Sequence, residues 1–299
     1  MNKLKDFFNY YSSNHAYTEY SFVKTLIWRI GVLRRLFGDI RSGKKQIFIN
    51  LEKLNSKHKL MSPKPALILA TGPSLNEINN EFLSDFKKFG DIFSVNYFPF
   101  TNIGLKSKID YQVVLDVGHF TEHPCDEVEE KFRHWLKNEF SGKLITQIGR
   151  NNICKNEAIY VRGLTAASFT KSINPMGIVV GFQPYTTFYA ISTAIWLGYE
   201  PIYVSGLDAS QHAYIYMREG KATLSNNHAD NFYTDANKSW VGRPDSKSIL
   251  SSNAYAIEKM KLFRKHSVEI IGKGSHVDTL PRISMEQILS KHLKYGDLK

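Results

Sequence analysis

The fold is decided by Ala66-Leu67-Ile68-Leu69-Ala70, followed at once by Thr71-Gly72-Pro73-Ser74. Five apolar residues in a row are typical of a strand that is buried on both faces. The Gly-Pro pair ends this strand. The helical spacing of apolar residues over 75–88 then predicts a helix, with Ser74 as its N-cap. A strand, a tight turn and a helix in this order predict the first unit of an α/β fold.

Further strands and helices are expected along the rest of the chain. The pattern predicts strands at residues 92–96, 111–116, 144–148, 158–161, 201–205 and 268–271, and helices at 185–197 and 252–265. Strands that alternate with helices predict a Rossmann-like, mostly parallel sheet with helices on both faces. Ligands of such sheets bind beyond the carboxyl ends of the strands, so we expect the functional residues there.

Polar and glycine residues stand at these strand ends. Asn96 and Asp116 are the last residues of the predicted strands at 92–96 and 111–116. Gly206 and Asp208 follow the strand at 201–205, and Ser275 follows the strand at 268–271. The Gly-Pro-Ser turn matches neither the P-loop nor the G-x-G-x-x-G fingerprint. As a helix N-terminus it offers free N–H groups and a positive dipole to a phosphate. A plain tight turn with an N-cap serine explains the same residues equally well.

The positive charge of the chain is concentrated at its N-terminus. Of the formal net charge of +11, residues 1–64 carry +9, because 13 Lys and Arg face four Asp and Glu there. Apolar residues at helical spacing follow Tyr20, with Trp28 among them. The pattern predicts a basic amphipathic helical segment, residues 1–62, and a nearly neutral catalytic domain, residues 63–299. A polar, aromatic stretch at about 209–245 is typical of a lid-like insertion.

The basic segment has two interpretations. It packs on the body as an extra helix, or it binds an anionic membrane surface and holds a cytoplasmic protein peripherally at the inner membrane. Specific nucleic-acid binding is disfavoured because no recognition motif accompanies the charge. The longest run without charge, residues 172–199, contains Pro175 and Pro184, so we do not expect it to span a membrane.

Composition excludes several classes of protein and of site. With 42% hydrophobic and 22% charged residues, the chain is not a disordered, collagen-like or coiled-coil protein. The two cysteines, Cys125 and Cys154, are too few for a disulfide scaffold and fit a reducing compartment. The sequence has no Asp-x-Asp pair, no H-E-x-x-H and no Cys/His ligand cluster, so we expect neither a metal nor a cofactor. Histidine as a residue type titrates near neutrality, so His212 and His228 are candidate general bases.

Several of these segments resemble, in chain order, the bacterial lipooligosaccharide sialyltransferases of glycosyltransferase family 42. The similar segments are residues 67–78, 92–96, 194–199 and 202–208. The Gly-Pro-Ser-Leu opening is also similar to that of the motility-accessory-factor family, which includes hydroxymethylpterin pyrophosphokinase-like proteins. The resemblance implies a GT-A-like sialyltransferase architecture. It further implies metal-independent transfer from a nucleotide-activated sugar, with CMP-linked sugars as candidates, during surface polysaccharide or lipopolysaccharide synthesis.

The resemblance also implies roles for individual residues. The residues implied in binding the nucleotide-sugar donor are Thr71, Gly72, Pro73, Ser74, Asn96, Asp116, Thr186, Gly206 and Ser275. Tyr216 would stabilise the departing phosphate, and His228 or Asp208 would deprotonate the hydroxyl of a glycan or lipid-linked glycan acceptor. Whether the chain forms a homo-oligomer stays open.

Four positions depart from the sialyltransferase pattern. Thr71 and Asp116 stand where that family has asparagines, and Ser239 stands where its catalytic histidine falls. His228, eleven residues earlier, would have to replace that histidine. Of the two tyrosines that hold the leaving phosphate in that family, one matches Tyr216 and the other is replaced by Ser210. Two alternatives therefore stay open. One is a pterin pyrophosphokinase-like enzyme with Mg²⁺ held by Asp116 and Asp208, and the other is a membrane-associated binding protein without catalysis.

Overall fold

The computed structural model describes most of the body of the chain and little of its N-terminus. The described residues are 30, 34, 41, 51–101, 108–115, 127–147, 157–161, 166–167, 173–176, 180–181, 186–208, 215–218, 221–224, 260–275 and 277–296.

Twelve strands lie within these ranges. They are β1 (Ala66–Leu69), β2 (Asp91–Val95), β3 (Tyr111–Val114), β4 (Lys143–Gln147), β5 (Ala158–Val161), β6 (Ala166–Ala167), β7 (Val180–Gly181), β8 (Ile202–Ser205), β9 (Ile215–Arg218), β10 (Lys221–Leu224), β11 (Val268–Ile271) and β12 (Arg282–Ile283). Eight of them form one sheet in the order β12-β11-β8-β1-β2-β3-β4-β5, and every pair in it is parallel. Two small two-stranded sheets pair β6 with β7 and β9 with β10.

Helices of the described part are α1 (Leu51–Asn55), α2 (Asn80–Phe86), α3 (Glu127–Asn138), α4 (Thr186–Leu197) and α5 (Met285–Gly296). Short 3-10 helices occupy Ser56–His58, Pro73–Glu77, Phe98–Phe100 and Lys261–His266. None of the described helices is long and apolar enough to cross a membrane.

Helices cover both faces of the large sheet. On one face α4 packs against alternate strand residues such as Ile68 and Val204, in one buried apolar cluster. On the other face α2, α3 and α5 pack against the intervening residues, which include Leu67 and Tyr203. This two-sided burial explains why the strands read as continuous apolar runs. The prediction of a mostly parallel α/β sheet with helices on both faces is confirmed.

The single helix expected over 75–88 is wrong. The chain forms the 3-10 helix Pro73–Glu77, passes through extended backbone at Ile78 and Asn79, and begins α2 at Asn80. The side-chain oxygen of Asn79 accepts the Phe82 N–H at 2.7 Å and so caps α2. Ser74 is not an N-cap, because Gly72 occupies that position of the 3-10 helix.

Residues just before the body cover an edge of the sheet. Asn55 is fully buried. Its Nδ2 donates to the Tyr160 carbonyl at 2.7 Å, and the Tyr160 N–H donates to its Oδ1 at 3.1 Å. The amide thus pairs with edge strand β5 as another strand would. Leu51 joins the core and the Leu60 N–H donates to the Leu197 carbonyl at 2.8 Å. The described part of the basic segment, from Leu51 onward, therefore packs on the body.

The amino ends of the central strands are held by a compact polar cluster. The Tyr199 hydroxyl donates to the Asp91 carboxylate and lies 3.0 Å from the Tyr111 hydroxyl. Lys64 pairs with the same carboxylate at 2.6 Å. Burial, followed by the neighbouring Tyr111, raises the pKa of Tyr199 well above its ordinary value, so its hydroxyl stays protonated as a donor. These bonds stabilise the amino edge of the sheet, opposite the edge where ligands are expected.

The order of the strands reverses between β1 and β8. From β1 the chain builds outward through β2, β3, β4 and β5, and it then returns to the other side of β1 to add β8, β11 and β12. The loops after β1 and β8 therefore leave the carboxyl edge at neighbouring points and turn in opposite directions. In open α/β sheets such a switch point is where ligands bind.

Candidate functional site

The turn after β1 lies against the end of β8. The Ala70 N–H donates to the Ser205 carbonyl at 2.9 Å, and the Gly72 N–H donates to the Gly206 carbonyl at 2.7 Å. A Cβ at Gly72 would lie 2.4 Å from the Gly206 carbonyl oxygen and 2.5 Å from Asp208 Oδ2. Only glycine allows the two loops to approach so closely. The close packing therefore explains the glycine of the Gly-Pro-Ser turn.

Ser74 and Asp208 complete the link between the two loops. The Ser74 N–H donates to Asp208 Oδ2 at 2.7 Å, and Ser74 Oγ accepts the Gly206 N–H at 3.1 Å. Both Ser74 and Asp208 are 3% exposed. Gly206 has φ +74°, which allows its carbonyl to face Gly72 while its N–H faces Ser74. The loops after β1 and β8 therefore form one hydrogen-bonded unit.

These bonds overturn one expectation about the turn. The N–H groups of Gly72 and Ser74 are engaged as described, Pro73 has none, and the Leu75 N–H donates to the Gly72 carbonyl at 3.0 Å. The turn therefore does not offer the N–H groups of residues 72–75 to a ligand. The Asp208 side chain accepts the Ser74 N–H, which the phosphate interpretation of the turn had assigned to a ligand.

The loop after β11 joins the same unit. Ser275 Oγ donates to the Leu207 carbonyl at 2.7 Å, and Ser275 is buried. The Glu77 carboxylate accepts the N–H groups of Lys273 at 3.1 Å and Gly274 at 3.3 Å. From the other side of the loop, the Arg282 guanidinium donates to the Gly272 carbonyl at 2.9 Å. Three loops are thus locked together at the carboxyl edge.

Asn96 lies on the other side of β1, directly after β2. Its backbone is left-handed, with φ +49°, a conformation that asparagine tolerates better than most residues. Its N–H donates to the Val113 carbonyl at 3.0 Å, and its carbonyl accepts Gln112 Nε2 at 2.9 Å. Its amide Oδ1 is buried, and no described residue donates to it.

Thr71 follows β1 at the level where Asn96 follows β2. Leu69 pairs with Ser94 in the parallel register, and each of the two residues comes two positions after its member of this pair. Both residues are partly exposed. Thr186 begins α4 and is also partly exposed. Because α4 leads into β8, its first turn lies toward the carboxyl edge of the sheet.

The structure thus gathers part of the predicted site. Gly72, Ser74, Gly206 and Asp208 lie in contact through the bonds described, and Ser275 bonds to the intervening Leu207. Thr71 and Asn96 follow β1 and β2 at the same edge of the sheet. Asp116, His212, His228 and Ser239 lie outside the described residues. Tyr216 lies in β9, where only the backbone is described, and most of the 209–245 insertion is outside the described ranges.

Glu77 and Arg282 take part in the site although the sequence did not single them out. Glu77 follows Ser74 by three residues, which is the spacing of a capping box. That pattern was a usable signal for Glu77, but the carboxylate reaches the loop after β11 rather than its own helix start. Nothing local in the sequence marks Arg282, whose partners are seven to ten residues earlier.

Metal ligation has no assembled group in the described part of the chain. Within those ranges, no set of three or more His, Cys, Asp or Glu side chains is placed to hold a metal ion. The expectation of metal-independent chemistry stays a prediction.

Comparison with known proteins gives one similar structure. No protein-family model matches the chain, and no curated protein matches it. The chain is similar to a solved structure described as a MAf glycosyltransferase from Magnetospirillum magneticum AMB-1, at 12% identity and a TM-score of 0.46. The similarity covers 84% of this chain and 41% of that one, so the chain spans well under half the length of that protein.

Substitution of Gly72 tests the contact between the loops after β1 and β8. We expect Gly72→Ala to lower the free energy of unfolding by about 2–3 kcal/mol, because its Cβ collides with a backbone oxygen and a buried carboxylate. Gly274→Ala is the matched control, since a Cβ there meets no atom closer than 3.8 Å. Urea unfolding of both variants measures the difference, and equal midpoints would show that the two loops are not packed as described.

Proposed function

We propose that the chain is a glycosyltransferase that uses a nucleotide-activated sugar as its donor. Support comes from where the sheet brings the relevant segments. The turn after β1, Asn96 after β2 and the loop after β8 are separate in sequence and meet at the switch point of the strand order. These are the segments that resemble the sialyltransferases, and the carboxyl edge is where open α/β sheets bind nucleotides.

Asn96 carries the proposal. A buried amide oxygen without a donor costs about 1–3 kcal/mol, and binding a ligand that supplies the donor recovers that free energy. A ribose hydroxyl or an exocyclic amino group of a base is a donor of this kind. The left-handed backbone of Asn96 costs further free energy, and such strain is concentrated at functional sites. Asn96 Oδ1 therefore marks the proposed place of the nucleoside.

The proposed reaction needs a leaving group and a base. The acceptor hydroxyl oxygen forms a bond to the anomeric carbon while the bond from that carbon to the phosphate oxygen breaks, and the phosphate keeps the electron pair. Tyr216 is proposed to donate a hydrogen bond to the departing phosphate, and His228 to take the acceptor proton. A nucleoside monophosphate leaves with less charge than a diphosphate, so hydroxyl donors suffice and no metal is required. CMP-linked sugars are therefore the first donors to test.

The pyrophosphokinase alternative loses support from the position of Asp208. That reaction needs carboxylates to hold Mg²⁺, and the sequence offered Asp116 and Asp208 for the purpose. Asp208 is buried, and its Oδ2 already accepts the Ser74 N–H. An activity assay distinguishes the transferase from a binding protein without catalysis. The binding protein would bind the nucleotide but would not release it from a nucleotide-sugar.

Nucleotide recognition is measured first. We expect CMP to raise the midpoint of thermal unfolding more than UDP, GDP or ATP does, because a ligand of the folded state stabilises it by RT ln(1 + [L]/Kd). With EDTA present, we expect release of CMP from a CMP-sugar in the presence of a glycan acceptor. A response to ATP alone, or release that requires a divalent metal, would contradict the proposal.

The role of Asn96 is isolated by the Asn96→Gly variant. Glycine accepts φ +49° without strain, so the variant keeps the backbone and removes only the amide. We expect the Kd for the nucleotide to rise about tenfold, the equivalent of about 1.4 kcal/mol, while the unfolding midpoint without ligand is maintained. Asn80→Ala, at an exposed asparagine that begins α2, is the control and leaves the Kd unchanged. An unaltered Kd for Asn96→Gly would remove Asn96 from the site.

The basic N-terminal segment is proposed to bring the enzyme to a lipid-linked acceptor on an anionic membrane surface. Each Lys or Arg near such a surface contributes about 1 kcal/mol at low salt. In the full chain, we expect loss of vesicle binding by about a hundredfold or more when four arginines of the segment are replaced by glutamine. They are Arg29, Arg34, Arg35 and Arg41.

Co-sedimentation with vesicles of anionic lipid, repeated with neutral lipid, measures this binding. The matched control replaces four basic residues on the surface of the body, which are Lys108, Lys137, Arg264 and Lys265. If both variants bind anionic vesicles as the unmodified chain does, or if the unmodified chain does not bind, the segment has another role.

A further inference from the structure

Asp208 is the polar residue on which the turn after β1 and the loop after β8 converge. Its Oδ2 accepts the Ser74 N–H at 2.7 Å and lies within 2.5 Å of where a Cβ of Gly72 would be. The residue is 3% exposed. A carboxylate that accepts a backbone N–H makes a stronger bond than a neutral acceptor does, and burial strengthens it further.

This placement differs from that of a general base. A base must come within about 2.6–3.2 Å of the hydroxyl whose proton it takes, directly or through one water. Asp208 Oδ2 accepts the Ser74 N–H, and Gly72 packs against it so closely that a Cβ there would lie 2.5 Å away. The other carboxylate oxygen of Asp208, Oδ1, is buried as well. Its carboxylate therefore acts on the turn.

The neighbouring bonds explain why the turn needs this support. Pro73 has no N–H group. The first N–H after that of Gly72 that can bond to another part of the protein is therefore that of Ser74. Ser74 Oγ in turn accepts the Gly206 N–H at 3.1 Å. Loss of Asp208 would release the Ser74 N–H and, through it, the Ser74 side chain that orients Gly206. Thr71, which follows β1 at the level where Asn96 follows β2, is the first residue of this turn.

We propose that Asp208 is a positioning residue that holds the Thr71–Ser74 turn in the conformation described, and that it is not the base of the reaction. The expected effect of Asp208 on nucleotide binding rests on the proposed function. The hydrogen bond by which Asp208 fixes Ser74 does not depend on that function.

Two substitutions separate positioning from base catalysis. In Asp208→Asn an amide oxygen still accepts the Ser74 N–H, but the side chain cannot take a proton. We expect this variant to keep kcat within about threefold, to keep the acidic limb of the pH profile, and to raise the donor KM modestly. In Asp208→Ala the bond is lost, and we expect the donor KM and the nucleotide Kd to rise about tenfold or more. Asp278→Asn, at an exposed aspartate, is the control and leaves all of these unchanged.

Hydrogen–deuterium exchange provides a readout that needs no substrate. Over peptides that span residues 70–78, we expect protection of the Ser74 amide in the unmodified chain and in Asp208→Asn, and its loss in Asp208→Ala. Retained protection in Asp208→Ala overturns the proposal, whether or not nucleotide binds. Loss of turnover and of the acidic limb in Asp208→Asn, with protection retained, overturns it in favour of the base. If the unmodified chain binds no nucleotide, the proposed function fails, and the exchange data alone decide the role of Asp208.

Discussion

The close approach of the turn after β1 to the end of β8 is the constraint on which the carboxyl edge of the sheet depends. Gly72 lies against the Gly206 carbonyl, and the Ser74 N–H lies against the buried Asp208 carboxylate. An N–H group and a carboxylate removed from water must meet each other, since either alone would cost the full free energy of desolvation. The contact is therefore specific, and it fixes two loops that are 134 residues apart in sequence.

The rest of the edge is built onto this contact from both sides. The loop after β11 bonds to the loop after β8 through Ser275 and to Glu77 through its backbone N–H groups. Arg282 donates to a carbonyl of the same loop. On the other side, Asn96 keeps a buried amide oxygen to which no described residue donates. The N–H groups of Gly72, Ser74 and Leu75 are thus bonded within the protein, while Asn96 Oδ1 has no donor among the described residues. This difference favours the proposal of a nucleoside at Asn96 over a phosphate on the turn.

Much of the fold could be predicted from the sequence because the buried strands are short apolar runs between breaking residues. The run at 66–70 and the run at 268–271 needed no knowledge of their partners. The helix expected over 75–88 failed because apolar spacing continues across Ile78 and Asn79 while the backbone does not. The prediction of free N–H groups at the turn was wrong for a different reason. Whether they are free depends on Asp208, and no local pattern reveals a partner so distant in sequence.

The most direct measurement is a crystal structure of the chain with CMP bound, refined with the position of the nucleotide left open at the start. We expect density at the carboxyl edge of β1 and β2, with a nucleoside donor within 3.2 Å of Asn96 Oδ1 and the Asp208–Ser74 bond intact. A nucleotide bound elsewhere, or one whose phosphate replaces Asp208 on the Ser74 N–H, would contradict the account.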